Sequence, residues 1–242
     1  MESCWLIAPS GKINSKKLNI ALKRLKDFKY TPMYDETIVD SDYYFAGTID
    51  RRVSEINKAF SCSKGNTIFC ARGGFGSICL LPKLDWKTII KSKKTFVGHS
   101  DITALLLGLY SKGYKGNLIH GPLVASMFWN KKQTKLLKKC IFGKNYSVTL
   151  TEKTKTKNIE DFSGNIIGGN LRIFTHMIAT EYEVSTKNKI LFLEDTNEEP
   201  AAIYTMLWHL KLSGKLDGVK ALMFGKFKKC KNYLPFLEDF LS

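Results

Sequence analysis

The sequence predicts an α/β protein, with an N-terminal parallel-sheet domain flanked by helices and a smaller C-terminal α/β domain. Three observations predict it. Short apolar runs alternate with stretches of helical spacing, and several of those runs end in glycine turns. In Lys94 to Tyr110 the pattern passes from strand (Thr95, Phe96, Val97) to helix (Ile102, Leu105, Leu106, Leu109) across only Gly98-His-Ser100.

Residues 4 to 8 read as a buried first strand closed by Pro9-Ser10-Gly11, and a helix follows with Leu18, Ala21, Leu22, Leu25 and Phe28 on one face. A short extended piece lies near Tyr30 to Tyr34, and Val53, Ile56, Ala59 and Phe60 mark a second helix. Thr67 to Ala71 is a strand that runs directly into Arg72-Gly-Gly-Phe-Gly76. Asn117 to Ile119 is another, closed by His120-Gly-Pro122, and a lysine-rich helix covers about 130–141. Strands separated by helices imply right-handed crossovers in a parallel sheet, with functional groups gathered at the carboxyl ends of the strands. The glycine turn after Ala71 and the turn after Val97 should therefore be neighbours.

Residues 145–160 are polar, rich in Thr and Lys and poor in core residues, and are read as a linker between domains at 1–144 and 161–242. The second domain opens with Ser163 to Asn170 and a helix carrying Leu171, Phe174 and Ile178. Lys189 to Leu193 is an apolar strand ending in Glu194-Asp195, Ile203, Met206, Leu207 and Leu210 mark a helix, and Val219 to Phe224 is a further strand. Tyr233 to Leu241 reads as the start of a last helix.

A sharp strand-to-helix turn lifts Ser100 to the edge of the sheet and aims the first helical amides beside it, which is how a nucleophile elbow assists attack on a carbonyl. The plainer reading of Ser100 is a helix N-cap, and the second glycine of the hydrolase elbow is absent here. Gly73, Gly74 and Gly76 fit neither the phosphate-loop nor the dinucleotide spacing; glycine there lets backbone amides approach a ligand. One such amide would complete an oxyanion hole with that of Asp101. Glu194 lies just past a buried strand, where a carboxylate needs a partner. It either caps the following segment, pairs with a lysine, or orients a histidine as the acid of a triad, and Asp195 is the weaker candidate.

The net charge of +16 raises nucleic-acid binding, but only five of the 38 basic residues are arginine, the side chain on which base and phosphate recognition leans. The lysines are read as a solvated surface that attracts an anionic substrate. The six cysteines form no CxxC pair and no metal-ligand spacing, so they are expected to be reduced and mostly buried, with no zinc site. No apolar run approaches a membrane span, and Cys4 to Ala8 is too short for a signal core, so a cytoplasmic protein is expected.

Together the segments Ile7 to Ser10, Ala46-Gly47 with Arg51, Ala71 to Gly76, Leu80 to Trp86, Gly98 to Thr103, Ile119 to Pro122, Gly168 to Leu171 and Ile190 to Asp195 resemble the L,D-carboxypeptidase family. That family of serine peptidases includes murein tetrapeptide carboxypeptidases and microcin C immunity peptidases. The resemblance implies Ser100 as nucleophile, Glu194 as the triad acid, and the amides of Gly74 and Asp101 as the oxyanion hole. It also places Arg72, Gly73, His120 and Asn170 among substrate-contacting positions. The implied reaction is hydrolysis, without metal or cofactor, of the bond to a terminal D-alanine in a murein tetrapeptide during cytoplasmic cell-wall recycling, by a homodimer.

Two departures stand out. His99 precedes the serine where the family usually has an aromatic, and no histidine matches the triad base, which by resemblance lies beyond the last strand; the C-terminal domain therefore reads as truncated. Of the four histidines, His176 and His209 sit on amphipathic helices as packing or surface residues, and His120 is the candidate substitute. Loss of a triad member lowers turnover by roughly four to six orders of magnitude, so the chain's activity is left open. The alternatives are an immunity-type peptidase acting on a peptide-nucleotide antibiotic, recognisable by an aromatic platform for the base, and a binding protein that keeps the peptide pocket without catalysis.

Overall fold

A computed structural model describes residues 1–126, 129–145 and 163–241. Among the described residues eight strands form two all-parallel sheets. The first has the order β2-β1-β3-β4-β5, built from β1 (Glu2–Ile7), β2 (Tyr30–Met33), β3 (Thr67–Cys70), β4 (Thr95–Gly98) and β5 (Leu118–His120). The second has the order β6-β7-β8, from β6 (Ile166–Asn170), β7 (Ile190–Thr196) and β8 (Ala221–Lys228).

The side-chain alternation of β1 divides the core. Cys4, Leu6 and Ala8 pack with Leu18, Ala21 and Leu25 of α1 (Ser15–Asp27) and Leu137 of α5 (Lys131–Ile141). Trp5 and Ile7 face the opposite way, toward α2 (Ile49–Ser61), α3 (Trp86–Lys91) and α4 (Thr103–Ser111). This second core does not stop at the first sheet. It continues through Leu171 and Phe174 of α6 (Leu171–His176), Leu191 and Leu193 of β7, and Ile203 and Leu207 of α7 (Pro200–Leu212).

The junction is α4, whose residues from Thr103 to Leu109 are all buried. A helix apolar on every side has no water-facing surface, and here the two sheets enclose it. Asn14, Thr48, Asp85 and Asn130 cap α1, α2, α3 and α5 by accepting from the amide three residues on.

Some elements differ from the sequence reading. Ile166–Asn170, expected only as a glycine-bearing lead into a helix, is strand β6, paired with β7 along its whole length. Its Gly168 and Gly169 have φ of 127° and 137°, and a Cβ on Gly168 would lie 1.9 Å from the Phe192 carbonyl oxygen, so glycine is what lets this strand pair. Strand β8 runs on through Gly225 to Lys228, and the last helix, α8, is Leu234–Leu241. The short helix α3 had no periodic signal. Of the cysteines, Cys4, Cys70 and Cys230 are buried, Cys62 and Cys140 partly so, and Cys79 is exposed, which corrects the expectation that most are buried; all six are free thiols. Apart from residue 145, the expected linker lies outside the described residues. No helix among the described residues is long and apolar enough to cross a membrane.

Candidate active site

Strand β4 ends at Gly98, and the chain turns at once into a short 3₁₀ segment, Ser100–Ile102, that leads into α4. The return is tight: a Cβ on Gly98 would meet Ile102 Cγ2 at 2.6 Å. Ser100 has φ +62°, a left-handed conformation that costs a non-glycine residue about 1–2 kcal/mol. The cap positions are His99 for the 3₁₀ segment and Ile102 for α4, so Ser100 lies inside the turn and the N-cap reading does not describe it. Seven other described non-glycine residues share a positive φ, and Ser100 is the one of them on the strand-to-helix turn, which makes it the candidate for chemistry.

The glycine turn after β3 is the neighbour of this elbow, as the topology requires. A Cβ on Gly73 would lie 3.0 Å from both Cβ and Oγ of Ser100, so the Gly73 backbone passes directly over the serine. Gly74 has φ +143° and packs against Gly11 and Ser10, where any side chain would strike the Gly11 backbone at 2.9 Å. Arg72 fastens the turn from outside, its Nε donating to Gly73 O at 3.1 Å and its Nη1 to Lys12 O at 2.8 Å. These two bonds give Arg72 a loop-bracing role beside any contact with substrate.

The second sheet brings Glu194 to the junction. Residues 194 and 195 project to opposite sides of β7. Asp195 is buried and saturated, accepting from Asn170 Nδ2 at 2.7 Å, Arg172 N at 3.0 Å and Thr196 N at 2.7 Å. The Asn170 side chain is wholly engaged there too, since its Oδ1 accepts from Ile173 N at 3.1 Å and caps α6. Glu194 differs: its Oε1 is buried and has no hydrogen-bond partner among the described residues.

Among the described residues the ionisable side chain that meets Glu194 from the other sheet is His120 at the end of β5, with Nε2 3.6 Å from Oε1. Burial first, and the Asp195 charge second, push the Glu194 carboxyl up to about 7. Burial also lowers His120 to about 4, with the charge of His99 adding to the effect. Both groups are thus driven toward their neutral forms. The His120 ring lies 5.8 Å from that of His99 and 5.6 Å from Phe192. His99 turns away from the serine, as its place on the turn predicts, and its Nδ1 meets Gly121 O at 2.9 Å. His176 and His209 are exposed on α6 and α7.

Close approach of the sheets depends on Gly169. A Cβ there would come 2.8 Å from Thr103 Oγ1 and 3.2 Å from His120 Nδ1, and the next amide, Asn170 N, donates to Thr103 Oγ1 at 3.2 Å. Sequence reasoning missed Thr103 as the residue that joins the elbow helix to β6. It also missed Ser10 and Ser77, which are bound to Asp101 (Ser10 Oγ to Oδ2 at 2.6 Å, Ser77 N to Oδ2 at 2.9 Å). Serines in loops carry no periodic signal, and only the recurrence of Ser10 in a family segment hinted at a role. No group of three or more His, Cys, Asp or Glu among the described residues is arranged to hold a metal ion.

Comparison with known proteins agrees with the fold and gives the family. The chain is similar over 95% of its length to the "Probable murein peptide carboxypeptidase" of Bacillus subtilis (strain 168), at 29% identity and covering 73% of that protein. A Rickettsia prowazekii (strain Madrid E) protein named as a carboxypeptidase is 37% identical over 77% of this chain and 61% of its own. The chain thus spans between 61% and 73% of the length of these curated relatives. Among solved structures, a muramoyltetrapeptide carboxypeptidase from Oxalobacter formigenes aligns over 99% of this chain and 84% of its own with TM-score 0.84 and 27% identity. The microcin self-immunity protein MccF, bound to glutamyl sulfamoyl guanosine, shares the fold at TM-score 0.84 and 23% identity over 99% of this chain and 84% of its own. The sequence profile of the LD-carboxypeptidase N-terminal domain matches residues 5–121, and that of the C-terminal domain residues 163–240. With the elbow in the first match and Glu194 in the second, the chain belongs to the LD-carboxypeptidase family.

Proposed function

We propose that this chain is a serine-type carboxypeptidase acting on murein peptides, in which Ser100 attacks the carbonyl that precedes a terminal D-alanine. The Oγ–carbon bond forms, D-alanine leaves with a proton on its amine, and water then cleaves the acyl-enzyme. The amides of Gly74 and Asp101 receive the developing oxyanion, and Glu194 orients the imidazole that moves the proton. Among the described residues the imidazole that faces Glu194 is His120. The observation that carries the reading is the strained Ser100, at φ +62°, lying beneath the Gly73 backbone. Murein peptides carry several carboxylates, and a net charge of +16 draws them in. The reaction is placed in the cytoplasm, where such peptides are recycled.

The test is D-alanine release from a murein tetrapeptide by the purified chain, with Ser100→Ala and His120→Gln beside it. Release that disappears in Ser100→Ala supports the reading, and its further disappearance in His120→Gln assigns the base. Release that persists in Ser100→Ala, or none from the unsubstituted chain, overturns it.

One observation favours a second reading, a peptidase for nucleoside-bearing peptides. Tyr44 is 69% exposed and Phe75 53% exposed, with ring centroids 5.8 Å apart, and Phe75 lies two residues from Gly73. Stacking on such rings is worth about 1–3 kcal/mol per base. Cleavage of an aminoacyl sulfamoyl nucleoside that weakens in Phe75→Ala, with tetrapeptide hydrolysis absent, would decide for it.

A further inference from the structure

Asp101 carries a second feature besides its amide. The residue is only 2% exposed and adjoins the nucleophile, and among the described residues no charged partner meets its side chain. Oδ2 accepts from Ser10 Oγ at 2.6 Å and from Ser77 N at 2.9 Å, while the Asp101 carbonyl accepts from Ser77 Oγ at 2.5 Å. Oδ1 is buried with no partner among the described residues. A carboxylate in such a place is costly, and an apolar residue would cost less if stability alone were at stake.

The three bonds join three segments that are far apart in sequence. Ser10 ends the loop after β1, Ser77 ends the glycine turn after β3, and Asp101 opens the elbow helix. Phe75 O lies 3.4 Å from Ser10 Oγ, whose one proton goes to Asp101, and a Cβ on Gly74 would lie 3.1 Å from the same oxygen. One hydroxyl thus lies between the two residues whose amides form the proposed oxyanion hole. Ser77, three residues after Gly74, is bonded to both the side chain and the backbone of Asp101. Hydrogen bonds to a carboxylate at such lengths are among the stronger kind.

We infer that Asp101 is a positioning residue whose carboxylate, through Ser10 and Ser77, latches the glycine turn to the elbow and sets the Gly74 and Asp101 amides in register with Ser100. Oxyanion stabilisation depends on where donors stand before the reaction, so a sub-ångström slip of one loop is felt in the rate. The inference rests on the serine-peptidase reading above. Neither Ser10 nor Ser77 touches the substrate in it; the Ser10 hydroxyl acts through the Asp101 carboxylate, and Ser77 through that carboxylate with its amide and through the Asp101 carbonyl with its hydroxyl.

The experiment compares Ser10→Ala, Ser77→Ala and Asp101→Asn with the unsubstituted chain in two assays: tetrapeptide hydrolysis, and the rate of covalent labelling of Ser100 by a fluorophosphonate. In labelling, Oγ bonds to phosphorus, fluoride leaves, and the hydroxyl proton passes to the buffer. The variants should lose about 10- to 100-fold in kcat with KM within about twofold, and the labelling rate should fall in parallel. The double variant Ser10→Ala/Asp101→Asn should fall little further than the lower single, because the groups act as one unit. Thermal unfolding selects the variants that fold, and Ser10→Ala, which removes one bond and leaves the carboxylate its Ser77 partner, is read even if Asp101→Asn does not fold.

A lower melting temperature with unchanged kcat and labelling in the folded variants overturns the latch and leaves the peptidase reading standing. An unsubstituted chain that neither hydrolyses nor labels at Ser100 overturns both.

Discussion

His120 Nε2 stands 3.6 Å from Glu194 Oε1, a contact made across the junction of the two sheets by residues 74 positions apart. It brings together two groups that burial displaces in opposite directions.

Those displacements predict opposite pH slopes in stability. Glu194 titrates near 7 in the folded chain against 4.5 unperturbed, so the folded state keeps a proton that the unfolded chain releases; its contribution is lost as pH rises from 4.5 to 7, by about 3 kcal/mol at most. His120 titrates near 4 against 6.5, so the unfolded chain binds the extra proton and stability rises between pH 4 and 6.5. In the intact pair the slopes largely cancel. Urea unfolding across pH 4–8 should show Glu194→Gln gaining stability relative to the unsubstituted chain as pH rises, and His120→Gln losing it. Taking differences removes the parallel contribution of buried Glu55, which also titrates near 7. Identical slopes in all three proteins would refute the two displacements.

Ser100 offers a test of strain. With φ +62°, serine and alanine carry the same penalty there and glycine does not. Ser100→Gly should be more stable than Ser100→Ala by about 1 kcal/mol in denaturant unfolding, and both should release no D-alanine. A glycine variant less stable than the alanine variant would mean that the turn is not strained.

A paired glycine experiment probes the junction. Gly169 combines φ +137° with Thr103 Oγ1 at 2.8 Å from any added Cβ, whereas Gly113, with φ +76°, faces open space. Gly169→Ala should cost roughly 3 kcal/mol or more and Gly113→Ala about 1 kcal/mol, read as shifts in the denaturation midpoint. Equal costs would show that the sheets are free to move apart.

How much of this was legible beforehand follows from physical range. The strand-to-helix switch at Ser100 was readable because apolar periodicity changes there within three residues, and the parallel sheet followed from strands alternating with helices. The adjacency of the Gly73 turn and the elbow was also readable, since both lie at the carboxyl ends of adjacent strands. Strand β6 was not, because Gly168 and Gly169 resemble a loop until the Phe192 backbone that requires them is in place. The network of Ser10, Ser77 and Asp101 was equally hidden: its members are 91 and 24 positions apart and follow no local pattern. Glu194 was preferred to Asp195 in sequence, without a view of where either side chain goes. Strand alternation alone sends one to Asn170 and the other toward His120.

The burial of α4 on all its sides has a consequence for how a substrate enters. Swinging the two sheets apart like a clamshell would wet the side of α4 that packs on α6 and β6, where each buried leucine is worth about 1.5–3 kcal/mol, and would break the Asn170–Thr103 bond. In the proposed site, entry to Ser100 therefore falls to the loops around it, above all the turn that carries the exposed ring of Phe75, rather than to a parting of the two sheets.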